Sequence, residues 1–239
     1  MSAGDDLLAR LAPLDLRSRL ESPAACESND GRSLDHPTPL FHHTAAGLFT
    51  PIPGMPTELA TNVTTDPERH ELVAASVAFQ SVTGRVATTC FLANAVVGQR
   101  LLIEFGDLRW WPDRSSSALG LADVRIEDPA AWDTLIRQLV DDVFTPWVGA
   151  TRAVTSIGER HLWGNAATSL LVAGTSLQRH GTDVGLADLA PTIAAALPLG
   201  DLFVIGEEDG GTEFRRTTCC LIDQAGVTRC HECSLQVDR

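Results

Sequence analysis

Apolar positions recur at helical spacing along most of the chain, broken at a few places by proline, glycine and short alternating runs. Leu7, Leu8, Leu11, Leu14 and Leu20 lie near helical spacing across residues 4–20, with Pro13 as an interruption. Five prolines (Pro37, Pro39, Pro51, Pro53 and Pro56) mark residues 36–56 as a loop. Asp66-Pro67 then forms a cap and first-turn pair for a long helix over 68–98, with Gly84 as a candidate division. The apolar stretch from Leu72 to Gly98 is interrupted by Ser76, Gln80, Ser81, Thr83, Arg85, Thr88, Thr89 and Asn94. It therefore reads as a buried or amphipathic helix and not as a membrane span.

Leu101–Trp110 is β-rich, and Leu119–Ile126 is its expected strand partner across a turn at 112–118. Asp128-Pro129 precedes the clearest helix: Trp132, Leu135, Ile136, Leu139, Val140, Val143, Phe144 and Trp147 alternate steps of three and one, which is one helical face. Pro146 predicts an end or kink near Phe144. Further helices are expected over 160–180, ending at Gly181, and over 186–197, where Pro191 weakens the first half. From residue 201 the chain changes to short apolar runs, glycines and most of the cysteines. The expected fold is α+β: a predominantly helical body over 1–200, a small β element, and a C-terminal cysteine-rich unit over 201–239.

Composition narrows the function. The 239 residues carry a net charge of −13, which argues against nucleic acid or anionic membranes as general partners. All 18 basic residues are arginine, and the chain has neither lysine nor tyrosine. A Schiff-base lysine, a P-loop lysine and a catalytic tyrosine are thereby excluded. The first residues, Met1-Ser2-Ala3-Gly4-Asp5-Asp6, lack the basic and apolar regions of a signal peptide, so the cytoplasm is the expected location. Thiols stay reduced there, and the six cysteines are read first as thiolate chemistry.

Cys219, Cys220, Cys230 and Cys233 form a C-C-x9-C-x2-C pattern, a density far above the chain's average. Cys230 and Cys233 make a CxxC knuckle that converges two thiolates on a metal. Cys219-Cys220 is less usual, because adjacent side chains on a regular strand point to opposite faces. Both reach one site only if the backbone turns there, or if the site is larger than one atom. A two-iron cluster is larger, which favours iron–sulfur over a single zinc. A structural zinc knuckle, a relay through a vicinal disulfide, and unligated core cysteines remain alternatives. His231 reads as a solvated loop residue. Cys26 and Cys90 are isolated, and Cys90 is expected to be buried.

The run Arg215-Arg216-Thr217-Thr218-Cys219-Cys220, followed by Cys230-His231-Glu232-Cys233, resembles the C-terminal signature of the FhuF-type ferric siderophore reductases. Leu162-Trp163-Gly164-Asn165 at a helix head is similar to that family's W-S/G-N segment, and the long helix at 72–98 lies where the family has one. The resemblance is specific over roughly the last 25 residues. The chain has nine residues between the cysteine pairs where the family pattern has ten, and it lacks the family's tyrosine after W-N.

The resemblance implies a [2Fe–2S] cluster on Cys219, Cys220, Cys230 and Cys233 that reduces a ferric siderophore by one electron. Oxygen donors hold Fe(III) tightly and Fe(II) far more weakly, so reduction releases the iron. No bond to carbon is broken, and no catalytic residue is required beyond the cluster. The chain lacks a G-x-G-x-x-G fingerprint, so the electron is expected from an external ferredoxin, flavin or flavoprotein. Arg215 and Arg216 are candidates to hydrogen-bond the thiolates or to dock donor or substrate, against a plain surface role. Trp163 and Asn165 are candidates for substrate contact, against core packing and a capping role. A peripheral place at the cytoplasmic face of the inner membrane, near a siderophore importer, is the further expectation. The competing reading is a non-enzymatic siderophore-binding or interaction protein with a structural four-cysteine zinc knuckle; an iron–sulfur redox sensor is a third.

Overall fold

The computed structural model describes residues 3–11, 20–21, 31–49, 66–111, 118–198, 200–208 and 211–225. Its centre is a pair of long helices, α3 (Pro67–Leu92) and α6 (Glu159–Arg179). Asp66 caps α3 as expected: its Oδ1 accepts from the Glu68 N–H at 3.0 Å, with Pro67 in the first turn. Both helices carry buried small residues, including Ala74, Ala75 and Ala78 on α3 and Gly164, Ala166 and Ala167 on α6. Small side chains bring the two backbones close, which is how polar groups on one helix reach the other.

Gly84 does not divide α3. The helix runs through it to Leu92 and continues as a π-helical turn, Ala93–Val97, ending at Gly98 in the left-handed region (φ 72°). At Gly84 the nearest neighbour of an added Cβ is Ser169 Oγ of α6 at 3.8 Å.

The proline-rich stretch also departs from expectation. Thr38–Phe49 is a helix, α2, and not a loop. Pro37 and Pro39 sit before and within its first turn, where the N–H groups have no intrahelical acceptor to lose. Phe41 N–H bonds to Pro37 C=O at 3.0 Å. Pro51, Pro53 and Pro56 lie outside the described residues. So does Pro13, which follows the first helix, α1 (Ala3–Leu11).

The expected β-hairpin is present in divided form. β3 (Arg100–Leu102) pairs antiparallel with β6 (Arg125–Glu127), while β4 (Leu108–Trp111) pairs antiparallel with β5 (Ala118–Leu121). A short 3₁₀ turn at Phe105–Asp107 separates β3 from β4. Two short strands complete the second sheet: β1 (Leu20–Glu21), parallel to β5, and β2 (Arg32–Ser33), antiparallel to β4. The order is β1-β5-β4-β2.

Pro146 does not end its helix, which is instead distorted just before it. α4 (Trp132–Gln138) passes into a π-helical segment, Leu139–Phe144, and on into α5 (Thr145–Val154). The wider turn accommodates the missing proline N–H, and Thr145 Oγ1 donates to Val140 C=O at 2.8 Å. Trp147 of α5 stacks on Phe79 of α3 with ring centres 5.8 Å apart, and Phe41 and Phe105 complete the cluster. α6 ends where expected, at Gly181 (φ 72°), and α7 (Leu186–Ala196) contains Pro191. The chain then forms a hairpin, β7 (Phe203–Glu208) with β8 (Gly211–Arg216), and a 3₁₀ turn, Ile222–Ala225. Leu202 and Phe214 join the main core. The protein is thus α+β and mainly helical, and among the described residues no helix is long and apolar enough to cross a membrane.

Candidate functional site

Adjacent arginines at the end of β8 meet opposite environments. Arg215 is exposed, whereas Arg216 is 3% exposed and points between α3 and α6. Alternation along a strand places one on each face. The Arg216 guanidinium donates through Nη2 to Asn165 Oδ1 of α6 and through Nη1 to Gln80 Oε1 of α3 at 3.4 Å. Asn165 is fully buried within α6, so it is neither a cap nor a surface group. Its Nδ2 donates to Ser76 Oγ at 2.9 Å and to Ser76 C=O at 3.1 Å. Ser76 Oγ in turn donates to Cys220 C=O at 2.7 Å. One hydrogen-bonded chain therefore links Arg216, Asn165 and Ser76 to the backbone of the cysteine pair.

The backbone turns at that pair. β8 ends at Arg216, and Leu221 takes a left-handed conformation (φ 65°), which costs a branched side chain on the order of 1–3 kcal/mol. The turn points the Leu221 N–H back at Cys219 Sγ, 3.3 Å away. Cys219 and Cys220 are free thiols, half-buried and buried respectively, and they hydrogen-bond to each other. This bond pushes the Cys219 thiol well above its ordinary range. Burial and the Asp223 carboxylate push the same way, while the Leu221 N–H opposes them. The pair thus leaves strand geometry, and the two thiols are in contact.

Neighbouring contacts fix the turn. Thr218 packs so closely on Gly164 that a Cβ there would lie 1.9 Å from Thr218 Oγ1. Thr217 N–H bonds to Leu202 C=O at 3.0 Å, and Thr217 Oγ1 donates to Asp201 C=O at 2.6 Å. Arg160 at the head of α6 grips the Asp201 carboxylate through both terminal nitrogens at 3.0 Å. This pairing holds the Asp201 carboxyl below its usual range and raises Arg160. Arg69 Nε donates to Gln224 Oε1 at 2.6 Å, tying the 3₁₀ turn to the head of α3. His161 is pulled below the usual histidine range, first by burial and then by the charges of Arg216 and Arg69.

The structure thus brings together Cys219, Cys220, Arg216 and Asn165. It places Arg215 at the surface and Trp163 in the core at 2% exposure, with its indole N–H on Glu159 Oε1 at 3.3 Å. Cys230, Cys233, His231 and Cys26 lie outside the described residues. Among the described residues no group of three or more His, Cys, Asp or Glu side chains is poised for a metal. Cys90 is fully buried with its Sγ 3.9 Å from Leu101 C=O, and burial raises its pKa to about 12. His43 packs its ring 5.7 Å from that of Trp110.

Ser76 and Gln80 carry the site without having been candidates, and Gly164 and Thr218 entered only as members of the quoted motifs. The signal was available for two of them. Ser76 and Gln80 interrupt an apolar helix four residues apart, which puts them on one face. Comparison with known protein families gives no match, and comparison with curated proteins gives none.

Proposed function

We propose that the chain is a one-electron reductase of ferric siderophores, working through a [2Fe–2S] cluster held by Cys219, Cys220, Cys230 and Cys233. The observation that carries this reading is the turn at 217–221: it sets two adjacent thiols side by side and fixes their backbone through Ser76, Asn165 and Arg216. A side-by-side pair can offer two thiolates to one metal centre, and a buried cation near it suits an anionic, thiolate-ligated one. The cluster, when bound, supplies a one-electron carrier. The chain's own contribution is to hold two sulfurs on a rigid backbone and to keep Cys220 out of water. The electron comes from an external ferredoxin, flavin or flavoprotein. The donor loses one electron, the ferric chelate gains it, and Fe(II) leaves its oxygen donors. The resemblance of the last 25 or so residues to the FhuF-type reductases supports the same reading, with a cytoplasmic location near a siderophore importer.

Anaerobic purification, iron and sulfide assays, and EPR before and after dithionite test it. Iron and sulfide in [2Fe–2S] proportion, with a signal appearing on reduction, are expected. Reduced protein should then release Fe(II) from a ferric chelate to a ferrous-specific dye. A colourless protein holding zinc would overturn the reductase in favour of a structural knuckle. Replacing Cys219, Cys220, Cys230 or Cys233 with Ser should each bleach the chromophore, while Cys90→Ser should leave it.

A further inference from the structure

Burying a guanidinium costs several kcal/mol unless an anion accompanies it. Arg216 is buried, yet its hydrogen bonds go to two neutral amide oxygens, those of Asn165 and Gln80. Its Nε is buried with no acceptor among the described residues. Among the described residues none of the ion pairs includes it. Amide dipoles orient a guanidinium without cancelling its charge. Its charge is the second cause, after burial, that pulls the neighbouring His161 below the usual histidine range.

The hydrogen bonds indicate where the anion belongs. From Arg216 they lead through Asn165 and Ser76 to Cys220 C=O, so two side chains separate the guanidinium from the backbone of the cysteine pair. All of these groups except Gln80 are buried, and interior charges are screened far less than surface ones. We propose that Arg216 is the buried countercharge of the thiolate centre, held by Asn165 and Gln80 so that its charge favours the reduced form. The inference rests on the reading of the four cysteines as ligands of an iron–sulfur cluster. Such a centre is anionic and gains a further negative charge on reduction. A fixed cation beside it therefore raises the potential. Arg216 touches neither sulfur in the structure, and it acts as a positioning and tuning residue.

The test is an EPR-monitored redox titration of the anaerobically purified holoprotein, after iron and sulfide have been counted in the parent. Arg216→Met removes the charge. Gln80→Glu leaves the arginine in place and sets a carboxylate of the same shape beside it. Both variants should shift the one-electron equilibrium toward the oxidised form by about tenfold, or about 59 mV more negative. Arg216→Lys should restore most of the shift, and Arg215→Met, which removes an exposed charge, should shift it less. If Arg216→Met fails to load a cluster, Gln80→Glu decides. A parent without iron and sulfide overturns the cluster reading and this inference together. A loaded parent whose potential is unmoved in Gln80→Glu overturns the countercharge alone.

Discussion

At the scale of single residues, the site depends on polar atoms that are buried and paired. Asn165 satisfies three groups at once: it accepts from Arg216 and donates to both Ser76 oxygens. Asn165→Ala leaves a guanidinium and a hydroxyl short of partners in the interior and should cost about 3 kcal/mol by urea denaturation. A loss below about 1 kcal/mol would show that the chain of hydrogen bonds carries little. Cys90 makes a contrasting prediction. With its pKa raised to about 12 by burial, the folded protein holds this proton while the unfolded chain releases it near pH 9. Its contribution to stability is complete below pH 9 and is lost as pH rises toward 12. In a Cys90-only variant, iodoacetamide at pH 8 should modify the thiol only after denaturant is added; rapid labelling of the native protein would contradict its burial. Half of this scale was legible in the sequence. The cysteine pattern, the buried Cys90 and the Asp66 cap followed from residue type and spacing. Which arginine of the pair is buried did not, because alternation says that 215 and 216 face opposite ways without saying which faces the core.

At the scale of elements, the approach of β8's end to α6 is set by a missing side chain. A Cβ on Gly164 would meet Thr218 Oγ1 at 1.9 Å and Thr218 Cβ at 3.1 Å. Gly164→Ala should therefore displace the 217–220 turn and destabilise the protein by about 1–3 kcal/mol, despite alanine's better helix propensity. Thr218→Ala in the same chain should recover part of that loss, since it removes the closest atom. Additive effects in the double-mutant cycle would rule out the contact. The helices themselves were largely legible. The three-and-one spacing from Trp132 to Trp147 persists in the structure, and of the end or kink that Pro146 predicts near Phe144 the end does not occur. A π-helical segment absorbs Pro146, and the spare N–H groups of a first turn absorb Pro37 and Pro39. Proline reports a missing hydrogen bond and a bulky ring, and whether either one is costly depends on its position within the helix.

At the scale of the whole molecule, α3 and α6 are buried along most of their length, whereas the β7–β8 hairpin exposes Val204 and Ile205. Cooperative opening should therefore be uneven. Amide hydrogen exchange should be slowest in the central turns of α3 and α6 and faster in β7 and β8. Equal protection throughout would mean that the hairpin opens only with global unfolding. Such a gradient suits the proposed chemistry, because it sets the cysteine turn between a rigid helix pair and a more exposed edge.

The sequence by itself determined the local elements and the inventory of chemistry: helical faces from apolar spacing, thiols clustered near the end, arginine as the sole strong cation, and no lysine or tyrosine. Local periodicity is enough for these, since each depends on residues a few positions apart. Only the tertiary structure decided that Ser76 meets Cys220 across 144 positions and that Arg216 reaches Asn165 across 51. Those contacts exist because small residues let α3 and α6 approach closely, and because a glycine at 164 admits the turn that follows β8. Pairing over such distances is a property of packing, which no single stretch of the chain encodes.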